Sequence, residues 1–165
     1  MPRLPAVADS PVEIRRAGPG DVDALLTVST GLWQEDAGTH DPEVMNTDWP
    51  TQHGRAWFEA LPGDVDRVGL LAEIDGRLAG GLMGSYPELT PFVRQREARL
   101  NSLWVLPDHR GAGVGGLLVE AFQDWARERG AAYAVVTAFA ANPTAIRLYE
   151  KHGFGPHSVT LRATL

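Results

Sequence analysis

Cysteine is absent from the 165-residue sequence. The chain can therefore form no disulfide bond, no thiolate zinc site and no cysteine nucleophile, and any covalent mechanism must use another side chain. Basic residues are also scarce, since 15 Lys and Arg stand against 21 Asp and Glu, for a formal net charge of −6. Nonspecific affinity for nucleic acid comes from clustered Lys and Arg, so this balance argues against a nucleic-acid partner. It fits a cationic small substrate slightly better.

Long apolar runs are missing as well. No run approaches the roughly 18 residues that a membrane-spanning helix needs, and the amino terminus lacks the apolar core of a signal peptide. We therefore expect a cytoplasmic protein without a membrane partner. The five histidines show no paired metal-ligand spacing, so no metal site is expected. Length and composition are those of one globular domain, which we assign to residues 11–165 behind a flexible leader at residues 1–10.

The apolar periodicity along the chain predicts an α/β (α+β) fold. Strands are predicted over residues 12–15, 68–74, 78–85, 99–105 and 133–139, with closing strands over residues 154–165. Helices are predicted over residues 21–33, 51–61, 114–129 and 142–153, and residues 34–48 form a polar loop. Asp75-Gly76 joins the second and third strands, because this dipeptide supplies the positive φ values of a tight hairpin turn. The strand, helix and strand between residues 99 and 139 imply a crossover with parallel strands.

The segment from residue 103 to residue 118 runs from an apolar strand through a glycine-rich loop into a helix. Gly111, Gly113, Gly115 and Gly116 carry no Cβ, so the backbone can adopt positive φ values and a ligand can approach its amides closely. Unpaired N–H groups and the helix dipole at a helix start both favour an anion. A pyrophosphate would suit such a site, and a tight turn without any ligand would use the same residues.

Two well-known phosphate-binding motifs are excluded for this loop. The nucleotide P-loop requires a Lys followed by Ser or Thr after its last glycine, where this chain has Leu117. The dinucleotide fingerprint requires an acidic residue about twenty positions further on, and residues 130–136 contain none.

A second informative segment follows the predicted strand at residues 133–139. Asn142 can cap a helix, Pro143 suits the first helical position, and Gly153 can end the helix in a left-handed conformation. These residues predict a short helix with well-defined ends.

The two segments together resemble the GNAT acetyltransferase family, which transfers the acetyl group of acetyl-CoA to an amine. The family's cofactor motif is Arg or Gln, two residues, Gly, one residue, then Gly or Ala, and it matches Arg110, Gly113 and Gly115. The family's closing pattern matches Asn142, Ala145, Tyr149, Gly153 and Phe154. The resemblance covers residues 11–165 in element order, with its specific residues between 103 and 154. It implies a GNAT-like single domain with a mixed central sheet of six to seven strands and about four flanking helices.

The resemblance also implies roles for individual residues in binding acetyl-CoA as co-substrate. The implied coenzyme site consists of Leu103, Trp104, Val105, Arg110, Gly111, Ala112, Gly113, Val114, Gly115, Gly116, Asn142, Ala145 and Tyr149. Backbone amides of the loop would hold the pyrophosphate, and the strand before it would pair with the pantetheine arm where it splays from the next strand. Tyr149 would be the general acid that protonates the departing thiolate. The other interpretation of Tyr149 is a core residue packed with Ala145 and His152.

The general base is less clearly marked. Family members often place a Glu on the strand before the glycine loop, or use ordered water, and Glu97 is the candidate for such a base here. Glu35, Asp36 and His40 are further candidates on the first connection, where family members shape the acceptor pocket, although a solvated acidic loop would look the same.

The predicted function is an N-acetyltransferase that acts on a primary amine of a small molecule or peptide by direct attack. The alternative is a non-catalytic acyl-CoA-binding or sensing module of the same fold. A longer acyl donor and a homodimer both remain open.

Overall fold

Five strands form one mixed sheet in the computed structural model, which describes residues 10–165. The strands are β1 (Val12–Arg16), β2 (Arg67–Ile74), β3 (Arg77–Ser85), β4 (Glu97–Val105) and β5 (Tyr133–Val136), in that order across the sheet. Successive strands from β1 to β4 pair antiparallel, whereas β5 lies parallel to β4. The parallel pair confirms the predicted crossover. Residues 1–9 of the predicted leader lie outside the described residues.

Within residues 10–165, the α-helical and π-helical segments form four continuous runs. They are α1 (Val22–Leu32) with its extension through the π-helical turn Trp33–Ala37 into α2 (Gly38–His40), the π-helical turn Pro50–Gly54 leading into α3 (Arg55–Glu59), α4 (Val114–Glu128), and α5 (Pro143–Lys151). The number of runs agrees with the sequence prediction of about four. No helix within residues 10–165 has both the length and the apolar character needed to cross a membrane.

The helices cover both faces of the sheet. Val68 and Leu70 of β2 belong to the core cluster that α4 contributes to through Phe122. Leu71 of the same strand is fully buried in the opposite cluster, beside Leu25 of α1. Because β2 is buried on both faces, its sequence is an almost continuous apolar run. The hairpin turn after it has φ values of 51° at Asp75 and 71° at Gly76, as the sequence predicts.

The prediction of six to seven strands was wrong, because the closing strands do not form. Residues 154–165 contain no strand, and Val159 and Leu161 are 84% and 89% exposed. Alternating apolar and polar residues specify a strand only where one face is buried and the backbone finds a pairing partner. Pro156 has no N–H to give to a sheet, and Nη1 of Arg162 forms an ion pair 2.8 Å long with Oδ2 of Asp41 instead.

The prediction of a loop over residues 34–48 was also wrong in its first half. The first helix does not stop near Trp33 but continues through the π-helical turn as far as His40. The buried side chain in this extension is Ala37, so the segment lacks the apolar stripe by which a helix is recognised. The extension brings Glu35 of the π-helical turn to Trp104, near the end of β4.

Candidate active site

The sheet opens between β4 and β5. The ladder between these strands ends at the pair Leu100 and Val136, and β4 continues from Asn101 to Val105 without a neighbour on that side. The predicted strand at residues 133–139 is correspondingly shorter than expected. The unpaired N–H and C=O groups of β4 can therefore accept an extended ligand with amide groups, much as they would accept another strand.

An irregularity in β4 lies beside this opening. On the β3 side, Met83 pairs with Ser102 and Gly84 pairs with Leu100, so Asn101 is an extra residue without a partner in that ladder. Such bulges reorient the backbone locally and are frequent next to functional sites. This bulge was not predicted, because β4 itself contains no Gly or Pro that would mark it.

The glycine loop carries the chain from the end of β4 into α4. Gly111 and Gly113 have φ values of 77° and 81°, a region that favours glycine, and Gly113 is the residue before the first helical turn. A Cβ placed on Gly113 would meet nothing within 4 Å, so the space in front of the helix start is open. The first N–H groups of a helix have no intrahelical partner. Open space in front of such donors fits a pyrophosphate group.

The next two glycines have a different role, because they let α5 approach α4. A Cβ on Gly115 would lie 3.3 Å from Cδ2 of Leu148, and one on Gly116 would lie 3.1 Å from Nε2 of His152. His152 is fixed in turn by Gln123 of α4, whose side-chain amide donates a 2.8 Å hydrogen bond to the His152 carbonyl oxygen. The sequence therefore places α5 against the start of α4.

A cavity of about 770 Å³ extends over these elements. That volume lies within the usual range for small-molecule sites. Of the residues that the sequence analysis selected, the cavity is lined by Leu103, Trp104, Val105, Arg110, Gly111, Gly113, Val114, Gly115, Gly116, Asn142, Ala145 and Tyr149. Among the residues that the structure describes, Ala112 and Glu97 do not line it. Glu97 is half-buried at the start of β4, opposite Tyr133, and the structure does not bring it to the cavity.

Tyr149 of α5 is a buried hydroxyl-bearing side chain that lines the cavity. It is 9% exposed, and its ring packs edge-on against Phe154 with a centroid distance of 5.9 Å. Burial, with a smaller effect from the negative charge of Asp36, raises the pKa of Tyr149 to about 12. The phenol is therefore protonated at neutral pH and remains a hydrogen-bond donor.

Asn142 connects α5 to the π-helical turn that follows α1. Its Oδ1 accepts a 3.1 Å hydrogen bond from the backbone N–H of Ala145, which caps α5 as the sequence predicts. Its Nδ2 donates a 3.0 Å hydrogen bond to Oδ1 of Asp36. Nε2 of His40 lies 3.7 Å from the same carboxylate oxygen, and the His40 ring packs against Phe139. Asp36 and His40 both line the cavity.

Glu35 is the neighbouring acid, and it is held by two partners. Its Oε2 accepts hydrogen bonds from Nη2 of Arg110 at 2.6 Å and from Nε1 of Trp104 at 3.1 Å. Arg110 holds the pKa of the Glu35 carboxyl below its usual value. Glu35 thus stays ionised and ties the π-helical turn to the glycine loop. Arg110 is tied as well, since its Nε donates to the Val105 carbonyl oxygen at 3.0 Å.

Within the described part of the chain, no group of three or more His, Asp and Glu side chains is placed to hold a metal ion. The groups that the cavity offers to a reaction include the Tyr149 hydroxyl, the Asp36 carboxylate, the His40 imidazole and the backbone amides of the loop. These can bind an anion at one part of the cavity and move a proton at another.

Comparisons with known proteins agree with this geometry. The family model described as "Acetyltransferase (GNAT) family" matches residues 33–154. Streptothricin acetyltransferase from Streptomyces lavendulae is 30% identical over 161 residues, which cover 88% of this chain and 82% of that protein. An uncharacterised N-acetyltransferase from Archaeoglobus fulgidus is 32% identical over 142 residues, covering 84% of this chain and 89% of its own length.

Solved structures share the fold at lower identity. A mutant of the BH1408 protein from Bacillus halodurans has a TM-score of 0.81 at 17% identity, over 93% of this chain and 99% of that one. An aminoglycoside N-acetyltransferase in complex with CoA has a TM-score of 0.74 at 18% identity, over 99% of each chain. The chain belongs to the GNAT family of acetyltransferases.

Proposed function

We propose that the protein is an N-acetyltransferase that uses acetyl-CoA as co-substrate and acetylates a primary amine of a small molecule or peptide by direct attack. The observation that carries the proposal is the continuity of one cavity. It joins the glycine loop at the start of α4, the unpaired stretch of β4, and Tyr149 of α5.

The donor end of the cavity suits coenzyme A in two respects. The amides from Arg110 to Gly116 bind the pyrophosphate, with Gly111 and Gly113 giving the loop its left-handed turns. The backbone of Leu103, Trp104 and Val105 pairs with the amides of the pantetheine arm, because β5 does not occupy that side of β4. This arrangement directs the thioester past Ala145 towards Tyr149.

The chemistry moves one proton from nitrogen to sulfur. The neutral amine nitrogen attacks the thioester carbonyl carbon, the new N–C bond forms, and the C–S bond breaks. Tyr149 donates its hydroxyl proton to the departing thiolate, and the amine nitrogen gives its proton to the His40 imidazole. Exchange with solvent then returns a proton to the Tyr149 phenolate and removes the proton from His40, so both groups are restored. His40 takes the place of Glu97 as the base in this proposal, because His40 lines the cavity and Glu97 does not.

Relatives favour a small acceptor. One is named streptothricin acetyltransferase. Another, from Pseudomonas paraeruginosa, is named L-methionine sulfoximine/L-methionine sulfone acetyltransferase and is 28% identical over 150 residues. Both names specify small molecules, and we infer an acceptor of similar size here. A cytoplasmic location, a homodimer and a longer acyl donor are not needed by the proposal and stay predictions.

The proposal is tested by thiol release from acetyl-CoA in the presence of aminoglycosides, polyamines, amino acids and peptides. We expect turnover with at least one amine, and a fall in kcat of about 10²-fold or more for Tyr149→Phe. Tyr133→Phe is the matched control, since Tyr133 is 60% exposed on β5 and should keep the wild-type rate. Tight acetyl-CoA binding without turnover on any amine would instead favour the non-catalytic acyl-CoA-binding module. Absence of acetyl-CoA binding would contradict both.

A further inference from the structure

Two carboxylates line the cavity, and they differ in what balances their charge. Glu35 forms a 2.6 Å ion pair with Arg110, so its charge is compensated by a guanidinium. The partners of the Asp36 carboxylate are the neutral side-chain amide of Asn142 and the His40 imidazole, which carries a charge only when it is protonated. Among the residues that the structure describes, no Lys or Arg forms an ion pair with Asp36.

The Asp36 carboxylate is also fixed in position. The side chain is 29% exposed, and the 3.0 Å hydrogen bond from Asn142 holds Oδ1 in place. Asn142 is itself immobilised by capping α5. A fixed, partly buried and uncompensated carboxylate binds a cation better than a solvated one does, because less water screens the charge and little side-chain entropy is lost.

The Lys and Arg side chains that line the cavity form no ion pair with Asp36 in the described part of the chain. Arg147 and Lys151 of α5 flank Leu148, which packs on Gly115 at the start of α4. Arg110 is neutralised by Glu35, and His109 belongs to the glycine loop. Nη2 of Arg147 donates a 3.4 Å hydrogen bond to Oγ1 of Thr144. A carboxylate on the acceptor would thus add a second negative charge beside Asp36, whose own charge no ion pair with Lys or Arg compensates among the described residues.

We propose that Asp36 forms the ammonium-binding subsite for the acceptor, and that the acceptor is a cationic amine without a carboxylate beside its reacting nitrogen. This inference rests on the proposed N-acetyltransferase function and specifies its acceptor class. Asn142 holds Asp36 and also caps α5, the helix that carries Tyr149, so an ammonium bound to Asp36 lies beside the helix of the proposed proton donor. Alkyl diamines and amino-acid amides belong to the acceptor class, and free α-amino acids do not.

The test measures acceptor binding separately from turnover. Isothermal titration calorimetry compares 1,5-diaminopentane, leucinamide and leucine on protein saturated with CoA. Leucinamide and leucine differ by one carboxylate, so they form a matched pair. We expect leucinamide to bind at least tenfold more tightly than leucine. We also expect Asp36→Asn to weaken the binding of 1,5-diaminopentane at least tenfold. Asn at this position can still accept the hydrogen bond from Asn142, so the change removes charge and keeps the contact.

Glu59→Gln is the control, since it removes a charge from an exposed residue of α3 outside the cavity. It should leave 1,5-diaminopentane binding unchanged. The assignment of Asp36 as the ammonium-binding subsite would be overturned by equal binding of leucine and leucinamide. Equal affinity of the wild type and Asp36→Asn for 1,5-diaminopentane would overturn it as well. Failure of the proposed function is seen elsewhere, in the loss of acetyl-CoA binding or of thiol release, so the two failures are distinguishable.

Discussion

Asn142 hydrogen-bonds Asp36 across 106 positions of sequence, with 3.0 Å between Nδ2 and Oδ1. The same side chain caps α5 through its other polar atom, at 3.1 Å from the Ala145 nitrogen. One residue thus fixes both a carboxylate on the cavity and the start of the helix that carries Tyr149. The π-helical turn after α1 and the helix α5 are coupled at this point.

Replacement of Asn142 separates the two roles. Asn142→Ala removes both hydrogen bonds, and loss of the cap should lower the free energy of unfolding by about 1 kcal/mol. Asn142→Ser keeps a capping oxygen but removes the amide donor, so its stability should stay close to the wild-type value while 1,5-diaminopentane binds more weakly. Urea unfolding and calorimetry measure the two effects. A serine variant as unstable as the alanine variant would refute the capping role.

Burial of Tyr149 predicts a loss of stability at alkaline pH. Its pKa is raised to about 12 in the folded protein, against about 10 in an unfolded chain. The folded state holds this proton more tightly, so the stabilising contribution is complete below pH 10 and is lost as pH rises from about 10 to about 12. The shift of about two units is worth about 2–3 kcal/mol in full, and about half of it is lost by pH 11.

The measurement is the free energy of unfolding in urea at pH 9 and pH 11. Between these values the wild type should lose about 1 kcal/mol more than Tyr149→Phe does. Tyr133→Phe replaces an exposed tyrosine and should behave like the wild type. Equal losses in the wild type and Tyr149→Phe would show that the phenol does not titrate as its burial requires.

The glycine loop offers a matched pair of substitutions. Gly113 and Gly130 lie at opposite ends of α4, with φ values of 81° and 75°, and a Cβ on either would meet nothing within 4 Å. Glutamate at either position costs about 1–2 kcal/mol in backbone strain. Only Gly113→Glu places a carboxylate in front of the N–H groups at the helix start, so it should abolish acetyl-CoA binding in calorimetry. Gly130→Glu should keep the wild-type affinity. An equal effect of the two variants would refute the assignment of the glycine loop as the pyrophosphate-binding site.

Removal of the His40 imidazole tests the proton acceptor. His40→Gln should lower kcat for amine acetylation by about 10²-fold or more, because it removes the imidazole that takes the proton lost by the amine nitrogen when the N–C bond forms. His53→Gln changes an exposed histidine before α3 and serves as control. A kcat unchanged in His40→Gln would return the role of base to another group or to water.

Sequence reasoning succeeded where local chemistry decides the structure. The Asp75-Gly76 turn, the left-handed Gly113 and the helix bounded by Asn142 and Gly153 all depend on a few neighbouring residues. Their backbone preferences can be derived without knowing the rest of the fold. The hairpin and the first residue of α5 were therefore predicted correctly.

Sequence reasoning failed where distant residues decide. The ion pair between Glu35 and Arg110 spans 75 positions, and it changes Glu35 from a candidate base into a structural anchor. The polar helix extension carrying Asp36 lacks an apolar stripe, and it was therefore mistaken for a loop. The prediction of closing strands over residues 154–165 failed for the opposite reason. Val159 and Leu161 show the alternation of a strand, but both side chains remain exposed and the segment finds no pairing partner in the sheet.

The most direct test of the account follows the acetyl group itself. The protein is incubated with acetyl-CoA carrying ¹³C at the acetyl carbonyl and with 1,5-diaminopentane, and the carbonyl carbon is followed by NMR alongside thiol release. We predict that the thioester signal is replaced by an amide signal in a one-to-one ratio with free thiol. A carbonyl that stays on the thioester, or that appears as free acetate while the amine remains unmodified, would contradict the account.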